Sequence, residues 1–154
     1  MPQKYNVVIA DTSCFILLDK IDSFDLLRQL FNNVTTTSTI AEEFGKGIPE
    51  WVTIKPIADL HYQAILELEV DKGEASAISL AIENDPALLI LDDLKARKVA
   101  DKLNLNYTGT LGILLRAKEL GLIKAIKPLL DSIQKTNFRF SVNILNEILK
   151  IANE

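Results

Sequence analysis

Short apolar runs alternate along the chain with segments in which apolar residues recur at helical spacing. The runs at residues 7–10 (VVIA) and 88–91 (LLIL) are continuous, as is typical of strands buried on both faces of a parallel sheet. Weaker strand candidates lie at residues 34–36, 52–54 and 106–108. Strands separated by helical segments predict an α/β fold, a three-layer α/β/α sandwich with a mainly parallel central sheet.

Helical periodicity marks the segments between these runs, because apolar residues three and four positions apart share one helix face. The internal stripes are Leu26, Leu27, Leu30 and Phe31; Ala77, Ile78, Ala81 and Ile82; Ala96, Val99, Ala100 and Leu103; and Leu111, Leu114 and Leu115. A last stripe, within residues 142–152, follows Ser141, which suits the N-cap position. This C-terminal helix could complete the core or pair with a second copy in a homodimer.

Composition limits the chemistry that is open to this chain. Its 154 residues are 48% hydrophobic and 25% charged, which predicts one globular domain over residues 1–154. No apolar run is long enough to span a membrane, and the polar start carries no secretory signal, so we expect a cytoplasmic protein. The single cysteine, Cys14, excludes an internal disulfide, and the single histidine, His61, argues against a Ser–His–Asp hydrolase.

The formal charge of −4 argues against a generally basic surface that would coat nucleic acid. Any nucleic-acid contact would need a local basic patch. Any catalysis must be built from carboxylates, hydroxyls, lysine or arginine, because histidine and cysteine are each present only once.

Carboxylates follow the two strongest strand candidates. Asp11 comes directly after the first, and Asp92 and Asp93 come directly after the other. In an open parallel sheet, ligands bind beyond the carboxyl ends of the strands. An Asp at a single such junction is more often the cap of the following helix. Two such junctions, both at the strongest strands, favour a shared site.

Two adjacent glutamates follow the second strand candidate and have different predicted roles. Glu42 has the Thr-x-x-Glu spacing of a capping box with Thr39, which gives it a structural role. Glu43 shares the helical stripe of Ile40 and Phe44, so we expect it to point inward. An inward carboxylate is costly unless it is paired or binds a metal.

Glu74 has two interpretations that the sequence leaves open. It leads the apolar stripe of its helix, and it also has capping-box spacing with Asp71. Acids gathered at one end of a sheet repel one another unless a cation joins them, and oxygen ligands select Mg²⁺ or Mn²⁺. Such ions hydrolyse phosphodiesters by activating water. The acids available for this chemistry are Asp11, Glu43, Glu74 and the pair Asp92 and Asp93.

The order of these motifs resembles the PIN-like domains. The segments that carry the resemblance are IADTS, IAEEF, DKGEASAISLA, LLILDDLKARKVADKL and YTGTLGILLRAKELGLI. Within that family the chain resembles a compact prokaryotic branch related to the toxin ribonucleases of toxin–antitoxin pairs. The resemblance implies an α/β/α fold, a metal-dependent endoribonuclease activity, RNA as the substrate and an antitoxin as a candidate partner. The alternative is a catalytically weak PIN-like module that binds RNA or protein.

The resemblance also implies which residues hold Mg²⁺ or Mn²⁺. Ser13 lies where the family often has a small polar residue near the metal, so the resemblance implies a part for it in substrate binding. A haloacid-dehalogenase phosphatase would need an Asp there instead. More familiar toxin members carry Asp at the position of the third acid. By position, the implied metal ligands and catalytic residues are Asp11, Glu43, Glu74 and either Asp92 or Asp93.

A cluster of basic residues follows the last acidic junction. Lys95, Lys98 and Lys102 fall at three- and four-residue spacing, opposite the apolar stripe of their helix, and Arg97 flanks that face. A solvated helix face and a track for RNA phosphates both fit this pattern. Its position directly after Asp93 favours RNA contact, so we predict that these four residues bind the substrate.

Overall fold

The computed structural model of the chain describes residues 5–154. At its centre lies a sheet of five strands in the order β3-β2-β1-β4-β5, and all neighbouring strands are parallel. The strands are β1 (Val7–Ala10), β2 (Val34–Thr36), β3 (Thr53–Ile54), β4 (Ala87–Ile90) and β5 (Asn106–Thr108). Each lies within one residue of its predicted bounds, and the α/β architecture with a parallel sheet is confirmed.

Helices connect the strands and flank the sheet. Within the described residues they are α1 (Thr12–Lys20), α2 (Leu26–Leu30), α3 (Ser38–Phe44), α4 (Leu60–Leu66), α5 (Lys72–Glu83), α6 (Leu94–Lys102), α7 (Thr110–Glu119), α8 (Lys127–Gln134) and α9 (Val142–Ile151). The predicted apolar stripes lie in α2, α5, α6, α7 and α9. No helix between residues 5 and 154 has the length and apolar character that crossing a bilayer requires.

The core explains why β1 and β4 gave the strongest sequence signals. Every residue of β1 is buried, since neighbouring strands cover its edges and helices cover its faces. Helix α5 packs against both β1 and β4 and buries Ala77, Ile78 and Ala81 completely. Cys14 is also fully buried, as expected for a core residue, and His61 lies exposed on α4.

The C-terminal helix α9 packs against α7 without burying any of its residues completely. Ser141 is its N-cap and accepts a hydrogen bond from the backbone N–H of Ile144, as predicted. At its other end, the Glu154 carboxylate accepts hydrogen bonds from the backbone N–H groups of Ile126 (2.7 Å) and Lys127 (3.0 Å). The helix thus completes this side of the fold, and pairing with a second copy stays a prediction.

The strand order creates a crevice at one end of the sheet. The chain runs outward from β1 to β2 and β3, and then returns to place β4 on the other side of β1. The connections after β1 and β4 therefore leave in opposite directions. In parallel sheets this reversal opens the crevice in which ligands bind.

Candidate active site

The strand register brings three junctions together at the carboxyl edge of the sheet. The last residue of β4, Ile90, pairs with the last residue of β1, Ala10, on one side and with the last residue of β5, Thr108, on the other. Asp11 therefore lies beside Leu91, and Gly109 lies on the other side of Leu91. Asp92 stands one residue further out, next to Thr110. Because β1 and β4 flank the crevice, Asp11 and Asp92 face it from its two sides.

Asp11 is buried, with 4% of its surface exposed. It occupies the N-cap position of α1, but its side chain forms no capping hydrogen bond with that helix. The pKa of its carboxyl is raised from 3.8 to about 7, chiefly by burial and also by the charges of Asp71, Glu43 and Asp92, against the lowering effect of the Thr12 N–H. Asp11 is therefore a destabilised carboxylate rather than a simple helix cap.

Helix α3 begins earlier than the capping-box pattern predicted. Thr37 is the N-cap, and its hydroxyl oxygen accepts a hydrogen bond from the backbone N–H of Ile40 (3.1 Å). The predicted pair of Thr39 and Glu42 is wrong, because Thr39 already lies inside the helix. Glu42 is exposed.

Glu43 is exposed, so the prediction that it points inward is wrong. Its carboxylate instead turns toward the crevice, where Oε1 accepts a hydrogen bond from the Thr12 hydroxyl (2.9 Å). Thr12 follows Asp11 directly, and the Glu43 charge contributes to the raised pKa of Asp11. The Glu43 side chain, on the rim of the crevice, is thus held close to the buried Asp11.

Glu74 is a helix cap and also a member of the acidic group. It forms a reciprocal capping box in which its N–H donates to Asp71 Oδ1 (2.8 Å) and its Oε1 accepts from the Asp71 N–H (3.2 Å). Its pKa is raised to about 7, chiefly by burial and then by the charges of Asp71, Asp93 and Asp11, against the lowering effect of the Asp71 N–H. Both interpretations of Glu74 are therefore realised together.

Asp71 is an acidic neighbour that sequence reasoning did not include among the site residues. Its charge raises the pKa of both Asp11 and Glu74, and its Oδ1 holds the first turn of α5. The capping-box spacing could have identified Asp71, because an N-cap Asp lies at the same helix end as its capping-box partner, here Glu74.

The structure distinguishes the two acids that follow β4. Asp92 is half-buried, and both of its oxygens accept hydrogen bonds from Thr110, Oδ1 from the backbone N–H (2.8 Å) and Oδ2 from the hydroxyl (2.6 Å). Asp93 is exposed and caps α6 by accepting from the Ala96 N–H (2.9 Å). Asp92 therefore faces Asp11 across the crevice, whereas Asp93 adds charge from the edge.

The basic residues of α6 divide into two kinds. Lys95, Lys98 and Lys102 are exposed, as the sequence pattern predicted. Arg97 is half-buried, because its Nε donates to the Leu91 carbonyl (2.7 Å) and its guanidinium lies 5.3 Å from the ring centre of Tyr107. Arg97 therefore stands apart from the lysine face, close to the crevice.

Ser13 lies in the first turn of α1 and is half-buried. It is two residues from Asp11, at the crevice end of that helix. Its predicted part in substrate binding stays a prediction.

The family model DUF3368, a PIN domain, matches residues 7–154. The chain belongs to the PIN-domain family. Neither the curated proteins nor the solved structures contain a significant match to it. PIN domains are generally nucleases, so the family places this chain among nuclease-type modules.

PIN domains generally use divalent metals, and the donor chemistry of this crevice fits such ions. The acidic side chains offer only oxygen ligands, and none of Asp11, Glu43, Glu74 and Asp92 takes part in an ion pair formed within residues 5–154. In that part of the chain, no three His, Cys, Asp or Glu side chains form a group arranged to hold an ion. The carboxylate oxygens of Glu43, Glu74 and Asp92 accept hydrogen bonds from protein donors instead, so an ion would compete with those donors.

Proposed function

We propose that this PIN domain is a metal-dependent endoribonuclease. The observation that carries the proposal is Asp11, a buried carboxylate at the reversal point of the sheet that faces three other acids and has no cationic partner among the described residues. Such a group destabilises the folded protein unless a cation neutralises it. The ligands we assign to Mg²⁺ or Mn²⁺ are Asp11, Glu43, Glu74 and Asp92, with Asp93 adding negative charge at the edge.

Two threonines beside the crevice support this assignment by holding two of the acids in place. Thr110 fixes Asp92 through both of its oxygens, and Thr12 orients Glu43. The bound ion would supply activated water and stabilise the leaving oxygen of a phosphodiester. The protein contributes a partly buried site in which carboxylate oxygens are fixed before the substrate arrives.

The lysine face of α6 supports RNA as the substrate. The helix begins directly after Asp92 and Asp93 and is nine residues long, about 13 Å, so its exposed lysines lead away from the crevice. Arg97 lies nearer the acids and can reach a phosphate close to the cleavage point. We assign the contacts with RNA phosphates to Lys95, Lys98, Lys102 and Arg97.

A cleavage assay with end-labelled single-stranded RNA tests the proposal. We expect cleavage by the parent protein with Mn²⁺, none with EDTA, and a loss of at least a hundredfold in Asp11→Asn. Asp93→Asn is the matched control, because it changes a neighbouring acid that caps α6, and it should retain most of the activity. Cleavage that survives both EDTA and Asp11→Asn would refute the metal-dependent mechanism.

A catalytically weak module that binds RNA or protein is the second candidate function. The arrangement of the acids favours it, since Glu43, Glu74 and Asp92 accept hydrogen bonds from the protein, and no three acids form a group ready for an ion within residues 5–154. Thermal unfolding separates the two candidates. A functional metal site should raise the melting temperature by several degrees with Mn²⁺, because the ion binds only the folded state, whereas structural acids should not respond.

A toxin of a toxin–antitoxin pair is the specific biological role that we propose for the nuclease. Its partner would be an antitoxin protein, encoded beside it as a small protein with a DNA-binding N-terminus. Expression of the chain alone should arrest growth in a manner that Asp11→Asn abolishes, and co-expression of the neighbouring protein should restore growth. Unimpaired growth with active enzyme would refute the toxin role without affecting the nuclease assignment.

A further inference from the structure

Gly73, in the first turn of α5, lies directly against the carboxylate of Glu43. A Cβ atom added to Gly73 would approach Glu43 Cδ to 3.0 Å and Oε2 to 3.3 Å, and Oε1 would be closer still. These distances are shorter than normal van der Waals contacts. The carboxylate of Glu43 therefore occupies the space that any other residue at position 73 would fill.

The backbone at position 73 does not itself require glycine. Gly45 and Gly121 have the left-handed backbone that favours glycine, whereas Gly73 does not. Within a helix, glycine lowers stability relative to alanine. Space for the Glu43 carboxylate is thus the structural reason for glycine at this position.

A chain of hydrogen bonds holds the Gly73 backbone in place. The Ser76 hydroxyl donates to the Gly73 carbonyl (2.7 Å), and Ser76 Oγ lies 2.7 Å from Thr37 Oγ1. Because the Ser76 proton is used on Gly73, Thr37 must donate to Ser76, while its own oxygen accepts from the Ile40 N–H. This chain ties α5 to the start of α3, the helix that carries Glu43, so the flexible side chain must yield to an added methyl group.

We propose that Gly73 is a positioning residue that seats Glu43 in the metal site, an inference that rests on the proposed function. Glu43 is exposed, and its carboxylate is joined to the backbone of α3 by a flexible side chain. The position of the carboxylate therefore depends on its contacts. Thr12 supplies a donor on one side. On the other side, the open surface of Gly73 lets the carboxylate reach the N-terminal end of α5, where the helix dipole favours negative charge.

Titration of the metal-free protein with Mn²⁺ tests this inference through Gly73→Ala. We expect at least a fivefold weaker affinity, together with a melting temperature in EDTA equal to or above that of the parent, because alanine is the better helix residue. Gly47→Ala is the matched control, since a Cβ at Gly47 would meet nothing within 4 Å. It should leave the affinity unchanged. An unchanged affinity in Gly73→Ala would overturn the inference.

A double-mutant cycle with Glu43→Ala separates positioning from other effects. Shortening residue 43 removes the clash, so adding Gly73→Ala to Glu43→Ala should cause no further loss of Mn²⁺ affinity. The double variant also serves if Gly73→Ala alone does not fold, because it should then recover a folded state. An equal loss from Gly73→Ala in both backgrounds would overturn the positioning role.

The same titrations separate failure of this inference from failure of the proposed function. If Asp11→Asn and Glu43→Ala weaken Mn²⁺ binding and Gly73→Ala does not, the metal site stands and the role of Gly73 is wrong. If neither Asp11→Asn nor Glu43→Ala changes Mn²⁺ binding, the metal site and the role of Gly73 both fall.

Discussion

Replacing Asp11 with asparagine should stabilise the metal-free protein. The Asp11 carboxyl has a pKa of about 7 in the folded protein, because burial disfavours its charged form and three neighbouring acids repel it. In the unfolded chain its pKa returns to the ordinary value of 3.8. The folded state therefore binds the proton more tightly than the unfolded state does. The contribution of Asp11 to the stability of the parent should therefore fall as the pH rises from about 4 to about 7.

The rise in pKa sets the size of the expected effect. Each factor of ten in proton affinity corresponds to about 1.4 kcal/mol, so the charged carboxylate destabilises the folded state by roughly 4 kcal/mol above pH 7. Asparagine carries no charge, but its amide N–H₂ replaces a carboxylate oxygen and costs about 2 kcal/mol if it is left unpaired. A net gain of about 2 kcal/mol follows, which for a chain of this length is roughly 4–8 °C in melting temperature.

Thermal unfolding in EDTA at pH 5 and pH 8 measures the effect. At pH 8 Asp11→Asn should melt above the parent by that margin. At pH 5 most of the advantage should disappear, because the parent carboxyl is then protonated and neutral. With saturating Mn²⁺ at pH 8, the parent should melt above Asp11→Asn. The parent keeps the full ligand set, and a hundredfold excess of Mn²⁺ over Kd should stabilise it by about 2.7 kcal/mol.

A melting temperature of Asp11→Asn below that of the parent in EDTA at pH 8, together with a full response to Mn²⁺, would contradict this prediction. Asp11 would then be a structural residue of the first turn of α1, and the nuclease assignment would lose its central ligand. Glu83→Gln is a suitable control, because it removes an exposed carboxylate of α5 at the opposite end of that helix from the crevice. It should respond to Mn²⁺ as the parent does.

Three further predictions concern the neighbouring acids and the basic face. Glu43→Gln should weaken Mn²⁺ binding at least tenfold by calorimetry, whereas Glu42→Gln should leave it nearly intact, and equal affinities would contradict the assignment. Asp93→Ala should lower the free energy of unfolding by about 1 kcal/mol through loss of the α6 cap, without the loss of Mn²⁺ affinity expected for Asp92→Ala. Replacing the three exposed α6 lysines with glutamine should make the slope of log RNA affinity against log salt concentration less negative by about 2–3. An unchanged slope would exclude a phosphate track. These lysines are Lys95, Lys98 and Lys102.

The sequence predicted the fold well because the sheet leaves a local signature. Strand β1 is buried throughout and β4 is buried except at the half-buried Leu88, and such strands require continuous apolar runs. Amphipathic helices require a repeat near 3.6 residues. Helix α8 was not predicted, although Ile126, Leu129, Leu130 and Ile133 carry that repeat. The helix is only eight residues long and has proline in its first turn, so its stripe is brief.

The site was predicted less completely, because side-chain contacts between distant segments have no local signature. The positions of Asp11 and Glu74 followed from strand ends and helix starts. The separation of Asp92 from Asp93 depends on Thr110, which reaches Asp92 only because β5 pairs with β4. Glu43 was expected to point inward because it shares the helical stripe of Ile40 and Phe44, yet α3 is short and lies at the rim of the crevice. Its contact with Thr12 spans 31 positions.

The hydrogen bonds of the crevice account for acids that lie close together without forming a group ready for an ion. Thr12 holds Glu43, the Asp71 N–H holds Glu74, and Thr110 holds Asp92, so each donor partly neutralises one carboxylate. The Asp11 side chain accepts no capping hydrogen bond from its helix, and its pKa is raised to about 7. In the proposed metal site, an entering cation would have to replace the proton on Asp11 and outcompete the donors at the other acids. Metal affinity would then depend on pH through the most buried acid of the site, and we expect binding to tighten as the pH rises toward 7.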